Sequence, residues 1–303
     1  MTQVPLVYIL IPVHNRQATT LACLATLNQN GDLSRYRVIV IDDGSTDGTA
    51  EAIQRTYPTV VVLRGDGQLW WTGAITMGME YAYHREADYF IWLNDDTLPQ
   101  AEAITKMVSA CGTAPCQIIS AQCYADDSFS QPTYGGRRRK YLSLEFLAAA
   151  PDQYLPCDLC SGNLVCLPRS VVDTIGYPPD DRAPHLWGDV IYTWTARQAG
   201  FQIKVLGAAM AISPPNPMET GWATSSLPMA RHWQLLRSPK SSIYPPAYWF
   251  YCRQLYGHAG PWVFVTVYLK LVGFTILRWV MPLPWLNQLK QTLDRIAGGA
   301  RKL

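Results

Sequence analysis

Two phosphate-binding signatures are missing from this sequence. No GxGxxG follows the first apolar run, and no GxxxxGK[ST] occurs, which counts against dinucleotide enzymes and P-loop kinases that hold phosphates on glycine loops. Charge is sparse too, at 16% charged residues against 49% hydrophobic, and a chain of that composition folds rather than staying disordered. The eight cysteines show no disulfide-framework spacing. The opening MTQVPLVYILIPVHNR has neither a basic n-region nor a small-residue cleavage site. A reducing cytoplasm without a secretory leader is therefore the expectation. Cys157 and Cys160 have CxxC spacing, but a closed zinc site needs two more ligands at matching spacing and none is evident. Buried thiols are the plainer reading of that pair.

Acid is the most unevenly missing residue type. From Thr220 onward Asp294 is the only acid against ten bases, leaving 15 bases and 22 acids before it, or net charges of +9 and −7. That division points the tail at an anionic surface.

The first hundred residues alternate short β-rich runs with helical patterns. LVYILIPV (6–13), YRVIVIDDGS (36–45), TVVVLRGDG (59–67) and DYFIWLNDDT (88–97) read as strands. Between them, 18–29, the stretch after Ser45-Thr46-Asp47, and 73–85 read as helices. This order implies an α/β fold, a mostly parallel doubly wound sheet with helices on both faces. Ligands of such sheets bind outside the carboxyl ends of the strands, where His14-Asn15, Asp42-Asp43, Gly65-Asp66-Gly67 and Asp95-Asp96 all fall. Further on, 101–111 reads as a helix, 116–124 as a strand, 159–176 as strand and helix, 185–201 as a helix and 202–212 as a strand. RRRK (137–140), in a Gly- and Pro-rich stretch, reads as a solvated loop rather than a nucleic-acid site.

Adjacent carboxylates at the end of a core strand repel each other and resist desolvation. Asp95 and Asp96 either sit in a solvated turn or wait for a cation. Mg²⁺ or Mn²⁺ suits such an edge, because both take carboxylate oxygens and leave positions for phosphates. Asp43 could equally begin a helix cap, and Asp189 could simply compensate the dipole of the helix it precedes.

At ILIPVHNR (9–16), VIVIDDGSTDGT (38–49), GDGQLWWTGAITMGM (65–79), IWLNDDT (91–97), CSGNLVCLPRSVV (160–172) and LWGDVIYTWTARQAGF (186–201) the chain resembles the inverting family 2 glycosyltransferases of GT-A fold. The Leu-Trp-Trp-Thr-Gly stretch and the tail further resemble a bacterial branch that includes rhamnosyltransferase-like enzymes of cell-surface polysaccharide synthesis. The resemblance implies a nucleotide-sugar site of Pro12, Val13, His14, Asn15, Asp43, Asp66, Gly67, Trp71, Gly73 and Asp95. It implies Asp96 as ligand of Mg²⁺ or Mn²⁺, with Asp95 on the ribose or the metal, and Asp189 as general base. The implied partners are a UDP- or dTDP-sugar donor and a glycan or lipid-linked glycan acceptor. One departure concerns the metal: where many members carry a His, this chain reads Ile212-Ser213-Pro214, leaving His185 or His232 as substitutes.

The expected organisation is a catalytic domain over 1–212, its nucleotide-sugar half about 1–100 and its acceptor half about 101–212. A Pro-rich loop or linker (213–230) and a basic, aromatic helical region (231–303) follow. WVFVTVYLKLVGFTILRWVM (262–281) is long enough to cross a bilayer, but Lys270 and Arg278 interrupt it. A helix lying on the inner face of the membrane fits those interruptions better than a single pass, and a core helix or homodimer surface is the third reading. Two other functions stay open. A nucleotidyltransferase would show a Gly-rich loop with Arg or Lys after the first strand, which VHNRQATT lacks; a non-catalytic, membrane-recruited nucleotide-sugar-binding subunit would share the site without the chemistry.

Overall fold

The computed structural model describes residues 4–114, 116–215 and 229–282, with 284, 285, 288 and 292. The chain divides into two compact units, Met1–Pro215 and Asn216–Leu303.

The first unit opens with β1 (Val7–Val13), α1 (Gln17–Gln29), α2 (Asp32–Arg35), β2 (Arg37–Asp42), α3 (Thr49–Thr56), β3 (Val61–Arg64), α4 (Trp70–Tyr83) and β4 (Tyr89–Leu93). It continues through β5 (Leu98–Pro99), α5 (Ala103–Cys111), β6 (Gln117–Tyr124), β7 (Gly136–Lys140), β8 (Ser143–Leu147), β9 (Tyr154–Cys157) and β10 (Leu159–Cys160). β11 (Leu164–Pro168), α6 (Arg169–Ile175), α7 (Gly188–Gln198) and β12 (Gln202–Ile212) complete it. Nine strands form the main sheet in the order β3-β2-β1-β4-β11-β6-β12-β5, with β9 also on β12.

The apolar runs are continuous because both faces of the sheet are covered. Successive side chains of a strand point to opposite faces. Val7, Ile9 and Ile11 accordingly join the core beneath α1 and α5, with Leu24, Ile53 and Met107. Tyr8 and Leu10 join the opposite core with Ile75, Met79, Phe90, Trp92 and Tyr192 from the side of α4 and α7.

β1, β2, β3, β4, β6 and β12 run one way, and β5, β9 and β11 run against them. The reversal of β11 positions the site. Leu164 pairs with Leu93, so the segment entering β11 starts at the edge where β4 ends, and the N–H of Asn94 donates to the carbonyl of Asn163 at 3.0 Å.

RRRK is not a loop. It is β7, paired antiparallel with β8 and with β10 in a second, three-stranded sheet. Partners on the ladder hold it there: Lys140 meets Glu145 at 2.7 Å, and the Arg139 N–H donates to Asp158 Oδ2 at 2.7 Å.

Of the second unit, α8 (Met229–Leu235), α9 (Pro245–Tyr256) and α10 (Gly260–Val280) are described. α9 and α10 pack through aromatic rings, with Phe264 5.1 Å from Trp249 and 6.0 Å from Tyr248 between centroids. The outer side of α10 carries an exposed stripe at alternating spacings of three and four: Trp262, Val265, Leu269, Val272, Ile276 and Trp279. Residues 245–280 are long and apolar enough to cross a membrane by length and composition. No acid occurs in 229–282. Most of the expected linker (216–228) and most of the tail after 282 lie outside the described residues.

Gly207 tests the packing of β12. Its N–H donates to Gln153 at 2.9 Å, and an added Cβ would lie 1.7 Å from the carbonyl oxygen of Ala150. Because backbone has to move, Gly207→Ala is expected to cost about 3 kcal/mol, read as a lower Tm in thermal denaturation.

Candidate active site

The polar ends of β1, β2, β3 and β4 meet at one edge. His14 Nδ1 bonds the carbonyl of Asp43 at 2.5 Å. Asn15 takes a left-handed φ of 52° and is tied on two sides: its N–H donates to Ser45 Oγ at 2.8 Å, and its Oδ1 accepts the N–H of Thr46 at 2.8 Å. Pro12 is half-buried within β1. Val13 turns its side chain into the core, and its carbonyl accepts the N–H of Asp43.

Asp43 is buried, and both its oxygens are occupied. Oδ1 accepts the N–H of Gly67 at 2.8 Å and Oδ2 that of Trp70 at 2.9 Å. The loop it holds requires a left-handed residue at Gly67, φ 85°, which glycine adopts without strain. Asp66 is exposed in the same loop. Gly73 is buried inside α4, where an added Cβ would meet Leu69 and Asp180 at ordinary contact distance.

Asp95 and Asp96 share one guanidinium. Arg16 Nη1 lies 3.1 Å from Asp95 Oδ1, and Nη2 lies 3.1 Å from Asp96 Oδ2. Thr20 Oγ1 donates to the other oxygen of Asp95 at 3.2 Å. The two acids differ in setting, with the Asp95 side chain 4% exposed and that of Asp96 25%. Burial pushes Asp95 up to about 6, against the opposing pull of Arg16, and the neighbouring charge of Asp96 raises it further.

Trp71 links this pair to Asp189. Its indole N–H donates to Asn94 Oδ1 at 2.7 Å. Its ring also lies against Gly162, where an added Cβ would be 2.5 Å from the indole and 3.1 Å from Asp189 Cβ. Asp189 stands in the first turn of α7, after Trp187 in a left-handed φ of 74°. Its Oδ2 accepts the N–H of Gly162 and its Oδ1 that of Val190, both at 2.7 Å. Burial raises its pKa above the ordinary carboxylate value, while those two N–H groups and Arg137 pull the other way.

The residues suit a hard divalent cation held by few protein ligands. Two carboxylates face one guanidinium, so the pair keeps net negative charge, and Asp96 stays partly open. Mg²⁺ and Mn²⁺ accept one or two carboxylates and complete their shells with water and phosphate oxygens. Among the described residues, no three His, Cys, Asp or Glu side chains converge. Ser213, in the stretch where the resemblance implies a His, is buried against Thr97 Oγ1 (2.9 Å) and Asn163 Nδ2 (3.2 Å). His185 packs edge-on to Trp70, and the side chain of His232 lies outside the described residues. Cys157 and Cys160 are buried, and burial pushes the Cys157 thiol up to about 12, leaving it protonated and inert.

Sequence reasoning missed Arg16, Asn94 and Gly162. All three stand inside stretches it had singled out, but their roles depend on which strand ends adjoin.

The model of glycosyl transferase family 2 matches residues 8–175. Among curated relatives, glycosyltransferase AglE of Haloferax volcanii is 24% identical over 219 residues, 70% of this chain and 68% of that one. An undecaprenyl-phosphate 4-deoxy-4-formamido-L-arabinose transferase of Aeromonas hydrophila is 36% identical over 118 residues, 36% of this chain and 34% of that one. Among solved structures, mannosyltransferase PcManGT from Pyrobaculum calidifontis, in complex with GDP-Man and Mn²⁺, matches with a TM-score of 0.55 at 17% identity, over 98% of this chain and 81% of its own. GalNAc-T7 with UDP, GalNAc and Mn²⁺ gives a TM-score of 0.57 at 12% identity, over 83% and 51%. These structural likenesses establish the GT-A fold.

A carboxyl whose folded pKa is raised stabilises the fold below its unfolded pKa, and that stability is lost as pH rises through the folded value. For Asp95 the window runs from the ordinary carboxylate value of about 4 to about 6. Asp95→Asn is therefore expected to raise Tm by about 5 °C at pH 7.5 in metal-free buffer. The gain should vanish as pH falls to about 4, followed by thermal melts across that range.

Proposed function

The chain belongs to glycosyl transferase family 2 and is a glycosyltransferase; on that premise we propose that it transfers a sugar, with inversion, from a nucleotide-diphosphate sugar to a hydroxyl of a glycan or lipid-linked glycan. The observation that carries this reading is the contact chain from Asp95 and Asp96 through Asn94, Trp71 and Gly162 to Asp189. It supports reading the acid pair as the edge for the leaving diphosphate and Asp189 as the base for the acceptor.

In this reading the nucleoside lies along Pro12, His14 and Asn15, beside the loop of Asp66 and Gly67 that Asp43 holds. Asp43 acts as the frame of the pocket. Asp96 would hold Mg²⁺ or Mn²⁺, and Asp95 would support it from within. The cation supplies Lewis-acid stabilisation of the charge on the leaving diphosphate. Trp71 walls the sugar pocket. Asp189 takes the proton of the acceptor hydroxyl, whose oxygen bonds to the anomeric carbon as the bond to the diphosphate oxygen breaks. One displacement follows, with no covalent intermediate. A raised pKa suits a carboxylate that must accept a proton.

The Aeromonas relative is named for undecaprenyl phosphate and a sugar, which supports a lipid-linked acceptor; the place in cell-surface polysaccharide synthesis rests on the resemblance of the Leu-Trp-Trp-Thr-Gly stretch. A UDP- or dTDP-sugar of hexosyl or rhamnosyl type is the favoured donor. Residues 1–212 carry the chemistry. The second unit, with no acid over 229–282 and an exposed apolar stripe, docks to the inner face of an anionic membrane, and pairing of two copies is the other use of that stripe.

Transfer assays with UDP- and dTDP-sugars, with anomeric configuration read by NMR, test the reaction; retention of configuration would refute the single displacement. Asp189→Asn is expected to lower kcat about 10³-fold while nucleotide affinity, followed by thermal shift, stays as in the wild type; full activity removes Asp189 from the mechanism. In the wild type kcat should fall as pH drops through the raised pKa of Asp189, since the protonated acid cannot act as base. Asp96→Ala should weaken nucleotide binding only when Mn²⁺ is present.

A further inference from the structure

Arg16 reaches the acid pair from a backbone that is fixed on several sides. Asn15 before it is tied to Ser45 and Thr46. After it, Thr20 Oγ1 lies 2.9 Å from the Arg16 carbonyl and 3.2 Å from Asp95, so its single proton is shared between two acceptors. Arg16, Thr20 and Asp95 thus form a closed circuit at the start of α1, and Asp96 is the member on the open side. The Arg16 side chain is 44% exposed, so its outer edge faces water. A planar guanidinium can serve two separate carboxylates at once, which an ammonium on a flexible stem does poorly. Without it, two adjacent negative charges would repel at a strand end where one is almost wholly buried.

We propose that Arg16 is a positioning residue, the resident counter-charge of the acid pair. It holds Asp96 in the free protein, competes with a divalent cation for that carboxylate, and turns to the donor's diphosphate when donor and cation arrive together. The inference rests on reading Asp96 as a cation ligand. Its consequence is that cation and donor binding are coupled. Mn²⁺ alone has to displace the guanidinium from Asp96 and leaves its Nη2 edge without an anion, while Nη1 keeps Asp95. Mn²⁺ with a nucleoside diphosphate brings the anion that the displaced guanidinium then meets. Such coupling is reciprocal, so each ligand tightens the other by the same factor.

The test titrates the full chain with Mn²⁺, reading free Mn²⁺ by electron paramagnetic resonance, alone and with saturating UDP or dTDP. The wild type should bind Mn²⁺ about tenfold more tightly with nucleotide than without. Arg16→Gln should bind Mn²⁺ alone about tenfold more tightly than the wild type and lose most of the nucleotide effect. Arg16→Lys keeps the charge without the fork and should fall between them; a folded Lys variant also guards against misfolding of the Gln one. If Arg16→Gln binds Mn²⁺ alone no better than the wild type, while the wild type still takes up Mn²⁺ with nucleotide, the counter-charge role is overturned and the cation site stands. If the wild type takes up no Mn²⁺ with either nucleotide, both readings fall.

Discussion

Asp43 is buried at the end of β2, where an ionised carboxylate is tolerable only with donors on its oxygens, and the donors it finds belong to the loop that begins α4. The same residue receives His14 on its carbonyl and donates its N–H to Val13. The ends of β1, β2 and β3 and the first turn of α4 are therefore fixed to one another through a single amino acid. Trp71 follows directly, and its indole reaches Asn94 on one side and Gly162 on the other. The placing of Asp189 relative to Asp95 and Asp96 is downstream of that fixation.

The front half of the fold was legible because strand length, apolar continuity and polar ends repeat with little interruption from 6 to 97. Burial on both faces makes such runs unmistakable. The reversal of β11 was not legible: Leu-Val-Cys-Leu-Pro reads the same in either direction, and only the sheet decides which neighbour it meets. RRRK misled for a related reason. Four like charges suggest a solvated loop, but the opposing carboxylates that make a ladder tolerable lie at Glu145 and Asp158, remote from the motif in sequence or across a turn.

At the site, residue types were readable and their partners were not. The acids at 42–43 and 95–96 could be picked out as a group, since the carboxyl ends of a doubly wound sheet adjoin; Asp189, in the first turn of a helix, joined them only through the family resemblance. Asp43 carried two readings, ligand contact or helix cap, and the structure gives it a third use as the anchor of a neighbouring loop. Arg16 was hidden by its ordinariness. An arginine after a strand has many uses, and nothing local says that its reach ends between two carboxylates eighty residues away.

Three non-glycine residues at the mouths of these loops, Asn15, Trp70 and Trp187, hold left-handed backbone angles. For a side chain as bulky as indole that conformation costs about 1–2 kcal/mol, and packing elsewhere has to sustain it. Selection for stability alone would drift toward glycine at these positions and relax the turns that aim α4 and α7. Glycine at Trp70 or Trp187 would relieve that strain and at the same time free the turns from which α4 and α7 start, so the strain and the direction of both helices are bound together.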